Sequence, residues 1–163
     1  MNIAIVGGGI GGLCAAVTLQ KQGHEVHVFE SAPVFHPVGA GIGIGSNAMQ
    51  ALMEIGVGEE IFRNGYILNT QVFQDMHGKV LNTIDFSVLK KMFGQENITI
   101  HRANLHRTFL ENLKTNTIEF NKRCIRVEQN EHKVTAFFKD GTAFEAELLI
   151  AADGINSPIR QQL

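Results

Sequence analysis

Gly7-x-Gly9-x-x-Gly12 stands directly after the apolar run Ile3-Ala4-Ile5-Val6 and directly before residues with helical spacing. Glycines in this pattern suit phosphate recognition. Gly7 permits a tight turn, Gly9 lets backbone approach a pyrophosphate, and Gly12 lets a helix pack close to a strand. The helix start, from Gly11, offers unpaired N–H groups and a partial positive charge. An acidic residue, Glu30, follows about 20 residues on, where a carboxylate accepts hydrogen bonds from an adenosine ribose. Its charge would repel a 2′-phosphate, so the motif reads as an NAD or FAD site rather than an NADP site.

The surrounding elements must hold those groups in place. Ile3–Val6 reads as a strand buried on both faces. Residues 11–22 carry Leu13, Ala16, Val17 and Gln20 at helical spacing, and Gly23 ends that helix. Glu25–Glu30 alternates like a second strand, so the first thirty residues spell one βαβ unit. His24 and His27 flank its second strand and are expected to face solvent. A loop is expected over residues 31–45, with Pro33, Pro37 and the glycines 39, 41, 43 and 45. Ser46 is expected to cap a helix that ends at Gly56. A hairpin is expected over Thr70–Phe73 and Lys79–Ile84, a loop or short helix over 85–94, a strand at 98–100 and a helix over 102–114. A run of strands follows at 117–120, 124–128, 133–139 and 142–151, with Asp140-Gly141 as a hairpin turn.

Composition narrows the function classes. With 163 residues the chain suffices for one domain. Fourteen Lys+Arg against 16 Asp+Glu leave a net charge of -2, which argues against a nucleic-acid or polybasic membrane surface. Two cysteines without paired spacing exclude a disulfide framework and a cysteine zinc site. The seven histidines have no metal spacing, since His101 and His106 do not share a helical face. No Ser/His/Asp signal is visible, and no catalytic acid or base is assigned. The uncharged start is broken by glycines and runs into a strand, which rejects a signal peptide, and no run is long enough to span a membrane. The expected setting is the cytoplasm. Of the 17 glycines, ten fall between Gly7 and Gly45, where backbone must turn or approach something closely.

An NAD domain would continue with alternating helices and parallel strands. This chain instead makes a glycine loop, a helix, a hairpin, another helix and an antiparallel run. That is the layout of FAD domains of the glutathione-reductase type. The expected fold class is therefore α/β, a Rossmann-like FAD-binding domain with a parallel sheet and an antiparallel β-meander. Four segments carry a more specific resemblance: 3–30, GAGIGIGSNAMQALMEIGV at 39–57, HRANLHRTFL at 101–110 and IAADGINSPIR at 150–160. Together they resemble the flavoprotein aromatic hydroxylases, such as the salicylate and p-hydroxybenzoate hydroxylases.

The resemblance implies FAD as cofactor and NAD(P)H as co-substrate. It implies hydroxylation of a small aromatic substrate by oxygen, through a flavin C4a-hydroperoxide. No nucleic acid or membrane partner is implied, and a homodimer is allowed. Cofactor contacts are implied at Gly7, Gly9, Gly11 and Gly12, and at Glu30 and Ser31. Gly41 would bring backbone close to the isoalloxazine ring, and Arg102 would contact the ribityl-pyrophosphate portion. Cys124 would touch adenine through backbone atoms. Asp153 and Gly154 match the family's Asp-Gly pair, with Ser157 and Arg160 at fixed offsets. Ser31 departs from the Arg or Lys common there, which removes one cation near the adenosine. Glu30→Ala is expected to weaken FAD binding with little loss of fold. The length corresponds to the N-terminal part of such an enzyme, with its C-terminal half absent and residues 65–97 beginning a substrate-domain insertion. The alternatives are a non-catalytic nucleotide-binding module or subunit, or another FAD enzyme sharing this half, such as a halogenase, epoxidase or prenyl reductase. An NAD-linked dehydrogenase fits the antiparallel run and the Asp-Gly segment poorly.

Overall fold

The structure, a computed structural model, describes residues 1–36 and 39–162; Pro37, expected in the glycine loop, lies outside the described residues. The chain divides into two compact units, Met1–His36 with Phe109–Leu163, and Pro37–Thr108.

The first unit opens with β1 (Asn2–Val6), α1 (Ile10–Lys21) and β2 (Glu25–Phe29), as the βαβ pattern predicts. The second unit carries β3 (Gly41–Ile44), α2 (Ser46–Glu54), α3 (Gly58–Arg63), β4 (Tyr66–Ile67), β5 (Thr70–Gln74), β6 (Val80–Asp85), α4 (Ser87–Phe93) and β7 (Ile98–His101). The helix α5 (Arg102–Glu111) follows β7, and the first unit resumes with β8 (Ile118–Glu119), β9 (Cys124–Gln129), β10 (Val134–Phe138), β11 (Ala143–Ala146) and β12 (Leu148–Ala151).

In the first unit, β12, β1, β2 and β8 form a parallel sheet in that order. Strands β9, β10 and β11 form an antiparallel meander. The two sheets share one core. Ala4, Val6 and Phe29 of the parallel sheet pack with Cys124, Ala136, Phe138 and Ala146 of the meander. The Phe29 ring lies 4.7 Å from Phe138 and 4.9 Å from Phe144. His27 faces Phe144 at 4.7 Å rather than solvent, because an imidazole can cover an aromatic ring while its edge stays wet. Gln20 on α1 is buried yet satisfied: it donates to Thr117 Oγ1 at 2.7 Å and accepts from the Lys114 N–H at 3.0 Å.

The expected single strand over 142–151 is two strands. β11 stays with the meander while β12 joins the parallel sheet beside β1. The switch falls at Glu147. Its N–H donates to the Asn2 carbonyl at 3.0 Å, and its carboxylate accepts from the Asn2 N–H. An apolar run alone carries no mark of such a change of partner.

In the second unit, the expected loop over 31–45 contains a strand. β3 pairs antiparallel with β7, from Gly41 opposite His101 to Ile44 opposite Ile98. Glycine is depleted in strands, which masked the period-two placing of Ile42 and Ile44. Ser46 does not cap α2; that place belongs to Gly45. The Ser46 hydroxyl instead accepts from Asn97 Nδ2 at 2.7 Å, and the Ser46 N–H donates to Asn97 Oδ1 at 3.1 Å. The ambiguous segment 85–94 contains α4, closed by Gly94 at φ 69°. The β5–β6 hairpin forms as expected, with Thr70 opposite Asp85.

Candidate functional site

The glycine turn is clasped between two strands. The Gly7 N–H donates to the Phe29 carbonyl at 2.9 Å, and the Val6 carbonyl accepts from the Ala152 N–H at 2.8 Å. Gly7 has φ 107°, and a Cβ there would lie 2.2 Å from the Ala152 carbonyl oxygen. A Cβ on Gly12 would lie 1.9 Å from the Gly7 carbonyl oxygen. Both glycines are therefore required by the protein's own packing. Gly9 and Gly11 differ: among the described residues, chain neighbours and the helix's own backbone aside, nothing lies within 4 Å of a Cβ at either position. The space beside them is open at the start of α1. That helix has Gly9 as its N-cap, no side-chain cap and no acidic residue in its first turn. Its first bond runs from the Leu13 N–H to the Gly9 carbonyl at 2.9 Å, so the N–H groups before Leu13 have no partner within the helix.

A cavity of about 270 Å³ opens at this helix start, lined by Gly7, Gly9, Glu30, Ser31, Cys124, Asp153 and Gly154 among others. Seven of the eleven predicted contact residues thus meet in one place. Gly11 and Gly12 lie on the helix that begins there. Gly41 and Arg102 belong to the second unit, where they are neighbours: Arg102 N–H donates to the Ala40 carbonyl at 2.9 Å, and Gly41 pairs with His101.

Glu30 has a second duty that its spacing did not reveal. Its Oε2 accepts from the Gly8 N–H at 2.8 Å, and its Oε1 accepts from the Ala32 N–H at 2.7 Å and the Ser31 hydroxyl at 3.1 Å. The carboxylate therefore ties the glycine turn to the end of β2 while keeping lone pairs for a ribose. Its removal would strand two backbone donors, so the expectation of little loss of fold on Glu30→Ala is revised. Gly8, outside the motif, is also constrained: a Cβ there would lie 2.7 Å from the Phe35 ring.

Asp153 carries the clearest sign of a missing partner. Both carboxylate oxygens are shielded from solvent and accept no hydrogen bond from the described residues. A carboxylate in that state is costly unless something donates to it. Gly154, at φ 91°, turns the chain immediately after it. Ser157 and Arg160 brace the turn. The Ser157 hydroxyl accepts from the Arg160 N–H at 2.9 Å, and the Arg160 guanidinium donates to the Ile155 carbonyl. These bonds account for their fixed offsets from the Asp-Gly pair.

Cys124 is 4% exposed and belongs to the shared core. Burial pushes its thiol pKa up, and the charge of Asp153 adds to the rise, against a backbone hydrogen bond with Arg126. A protonated thiol in the core leaves backbone as its means of touching a ligand.

Lys122 and Arg123, directly before Cys124, also line the cavity, and the sequence reading did not single them out. Lys122 Nζ donates to Asp140 Oδ2 and Thr142 Oγ1, each at 2.8 Å, and lies 5.5 Å from the centre of the Phe138 ring. The bond from Lys122, followed by those from Thr142, holds the Asp140 carboxyl well below the usual carboxylate range. Among the described residues no group of His, Cys, Asp and Glu could hold a metal ion, and no helix is long and apolar enough to cross a membrane.

The family model for the FAD binding domain matches residues 1–163. The chain belongs to this family. The nucleotide is therefore FAD. The chain is 35% identical to a 6-hydroxynicotinate 3-monooxygenase of Bordetella bronchiseptica, over 99% of this chain and 43% of the relative. It is 36% identical to a 3-hydroxybenzoate 6-hydroxylase of Polaromonas naphthalenivorans, over 99% of this chain and 42% of the relative. Among solved structures, Klebsiella pneumoniae HpxO complexed with FAD and uric acid superposes with a TM-score of 0.87 at 30% identity, over 99% of this chain and 41% of that one. The chain thus spans less than half the length of these relatives. The residues present fit FAD: an uncapped helix start with open space beside Gly9 and Gly11, an acceptor at Glu30, and the unpartnered Asp153 share one cavity.

Proposed function

We propose that this chain is the FAD-binding part of an NAD(P)H-dependent monooxygenase that hydroxylates a small aromatic or heteroaromatic ring. The observation that carries the reading is the unpartnered, shielded Asp153 carboxylate beside the glycine turn, in a chain whose relatives are named as hydroxylases of hydroxynicotinate and hydroxybenzoate. When bound, FAD supplies the redox chemistry, passing electrons from the nicotinamide to oxygen. The protein's part is positional. The start of α1, with Gly7, Gly9, Gly11 and Gly12, receives the diphosphate. Glu30 accepts from the ribose, Ser31 flanks it, and the Cys124 backbone borders the adenine. Asp153 accepts hydrogen bonds near the diphosphate, and Gly154 turns the chain away from it. In the second unit, Gly41 and Arg102 serve the flavin end, and residues 65–97 begin the substrate side. The cytoplasm, where NAD(P)H is supplied, is the compartment that suits this chemistry.

The test begins with FAD added to the purified protein, read by flavin absorbance and fluorescence. A shifted flavin spectrum is expected, weakened by Arg102→Ala. A colourless protein that gains no flavin signal overturns the reading. In the whole protein, small hydroxylated aromatics should stimulate NAD(P)H oxidation and yield a hydroxylated product.

A further inference from the structure

The cavity has a direction. The diphosphate belongs at the α1 start, beside Gly9, and the ribose at Glu30. The adenine must then lie beyond Glu30, against Ser31 and against Lys122, Arg123 and Cys124 at the entry to β9, all of which line the same cavity. The floor there is apolar, formed by Phe29 at 1% exposed and Cys124 at 4%. The cover is not supplied by Ser31, whose side chain is too short and is spent on Glu30 Oε1. Nor does Lys122 supply it, since its ammonium is tied to Asp140 and Thr142.

Arg123 is differently placed. Its backbone is fixed, its carbonyl accepting from the Lys139 N–H at 2.9 Å while the next residue, Cys124, anchors in the core. Its side chain is exposed, and its guanidinium makes no hydrogen bond or ion pair among the described residues. A planar, weakly hydrated cation on a long stem is suited to lie on the face of an aromatic base. By contrast, Arg126 in β9 already covers a ring, its guanidinium 3.8 Å from the centre of Phe137.

We propose that Arg123 closes over the adenine of bound FAD as a stacked planar cation, and so selects the adenylylated flavin over flavins that lack the base. The proposal rests on FAD being the bound nucleotide. A cation lying on an aromatic face is worth about 0.5–2 kcal/mol, so Arg123→Gln should weaken FAD binding roughly 2- to 30-fold.

The test titrates FAD, and AMP and adenosine as competitors of FAD, into wild-type protein, Arg123→Gln and Arg123→Lys. Affinities for FAD, AMP and adenosine should fall by similar factors in Arg123→Gln. Arg123→Lys should restore little, because an ammonium keeps the charge without the plane. The adenine absorbance loss near 260 nm on binding should shrink in both variants. The thermal midpoint without ligand should stay at the wild-type value, because the guanidinium bonds to none of the described residues. Unchanged FAD affinity in Arg123→Gln overturns the proposal. A loss for AMP without a loss for adenosine also overturns it, and so does full rescue by Arg123→Lys, since each assigns the residue to phosphate charge. Failure of the wild-type protein to bind FAD strikes the functional reading itself, and is thereby distinct from a failure of Arg123 alone.

Discussion

The parallel sheet of the first unit and the β5–β6 hairpin of the second are both strands with apolar side chains, yet their surroundings are opposite. Ile3, Ile5 and Val28 are 1% exposed or less, whereas Val72, Phe73 and Leu81 are 49%, 44% and 65% exposed. The first set is closed on both faces by α1 and the meander. In the hairpin, every residue of β5 is exposed. Alternating or continuous apolar residues therefore specify a strand without saying whether the protein covers it. The first unit encloses its own core, and that closure is what holds the glycine turn against Ala152. The hairpin carries apolar area of the kind that marks an interaction surface.

Substitutions in the two regions should separate them sharply. The largest effect is expected at Gly7→Ala or Gly12→Ala, where the new Cβ meets backbone rather than a movable side chain. Each should cost about 3 kcal/mol or more in denaturant unfolding and abolish flavin binding. Gly9→Ala is the control from the same motif. Its folding stability should stay within about 0.5 kcal/mol of wild type while FAD affinity falls. Equal destabilisation by Gly9→Ala and Gly12→Ala would erase the distinction between packing and ligand glycines.

Next in size is Glu30→Ala, which removes a ribose acceptor and strands the Gly8 and Ala32 donors. We expect a stability loss of about 1–3 kcal/mol along with weaker FAD binding. A loss of affinity at unchanged stability would show that water replaces the carboxylate at the turn.

A smaller effect is expected at Asp140, where the Lys122 bond pins the β10–β11 turn beside the cavity. Its folded pKa lies below the unfolded value of 3.8. Its stabilisation is therefore complete above that value and is lost as pH falls through the lowered folded value. Asp140→Asn should lower stability slightly at neutral pH and flatten the acid end of the stability profile. An identical acid profile in the variant would remove Lys122–Asp140 as a contributor.

The smallest effect belongs to the hairpin. Phe73→Ser or Leu81→Ser should leave the unfolding midpoint of the first unit unchanged, within about 0.5 kcal/mol, and improve solubility. A large destabilisation would show that the exposed ribbon supports the core after all.

The sequence was informative where local chemistry and tertiary need coincide. The βαβ start was legible because Ile3–Val6, the glycine turn and Glu30 each carry a short-range physical reason. The Asp140-Gly141 turn was legible for the same reason. What escaped depended on distant partners. The strand at Gly41–Ile44 exists because β7 lies opposite, and the break at Glu147 exists because Asn2 receives it. The same distinction holds in the site. Gly7, Gly9 and Glu30 were singled out by motif spacing and Asp153 by the family resemblance, and all four line one cavity. That Glu30 also secures the turn, and that Lys122 and Arg123 border the cavity, required the fold to bring residues 30 and 122–124 together. The dipeptide Lys122-Arg123 immediately before Cys124 was the available signal, and in a chain of balanced charge it did not stand out.

The pairing of β1 with β12 bears on how the chain acquires its site. Ile3 meets Leu148 and Val6 meets Ala151 in register, although these strands lie far apart along the chain. Closing so long a loop is slow, since its entropy is lost before the contact is gained. During synthesis the glycine turn would emerge early and wait, without the Ala152 carbonyl that wedges against Gly7, until residues near 152 had left the ribosome. The N-terminal strand would meanwhile present an unpaired apolar edge, which makes it the segment most exposed to misassociation before the sheet closes.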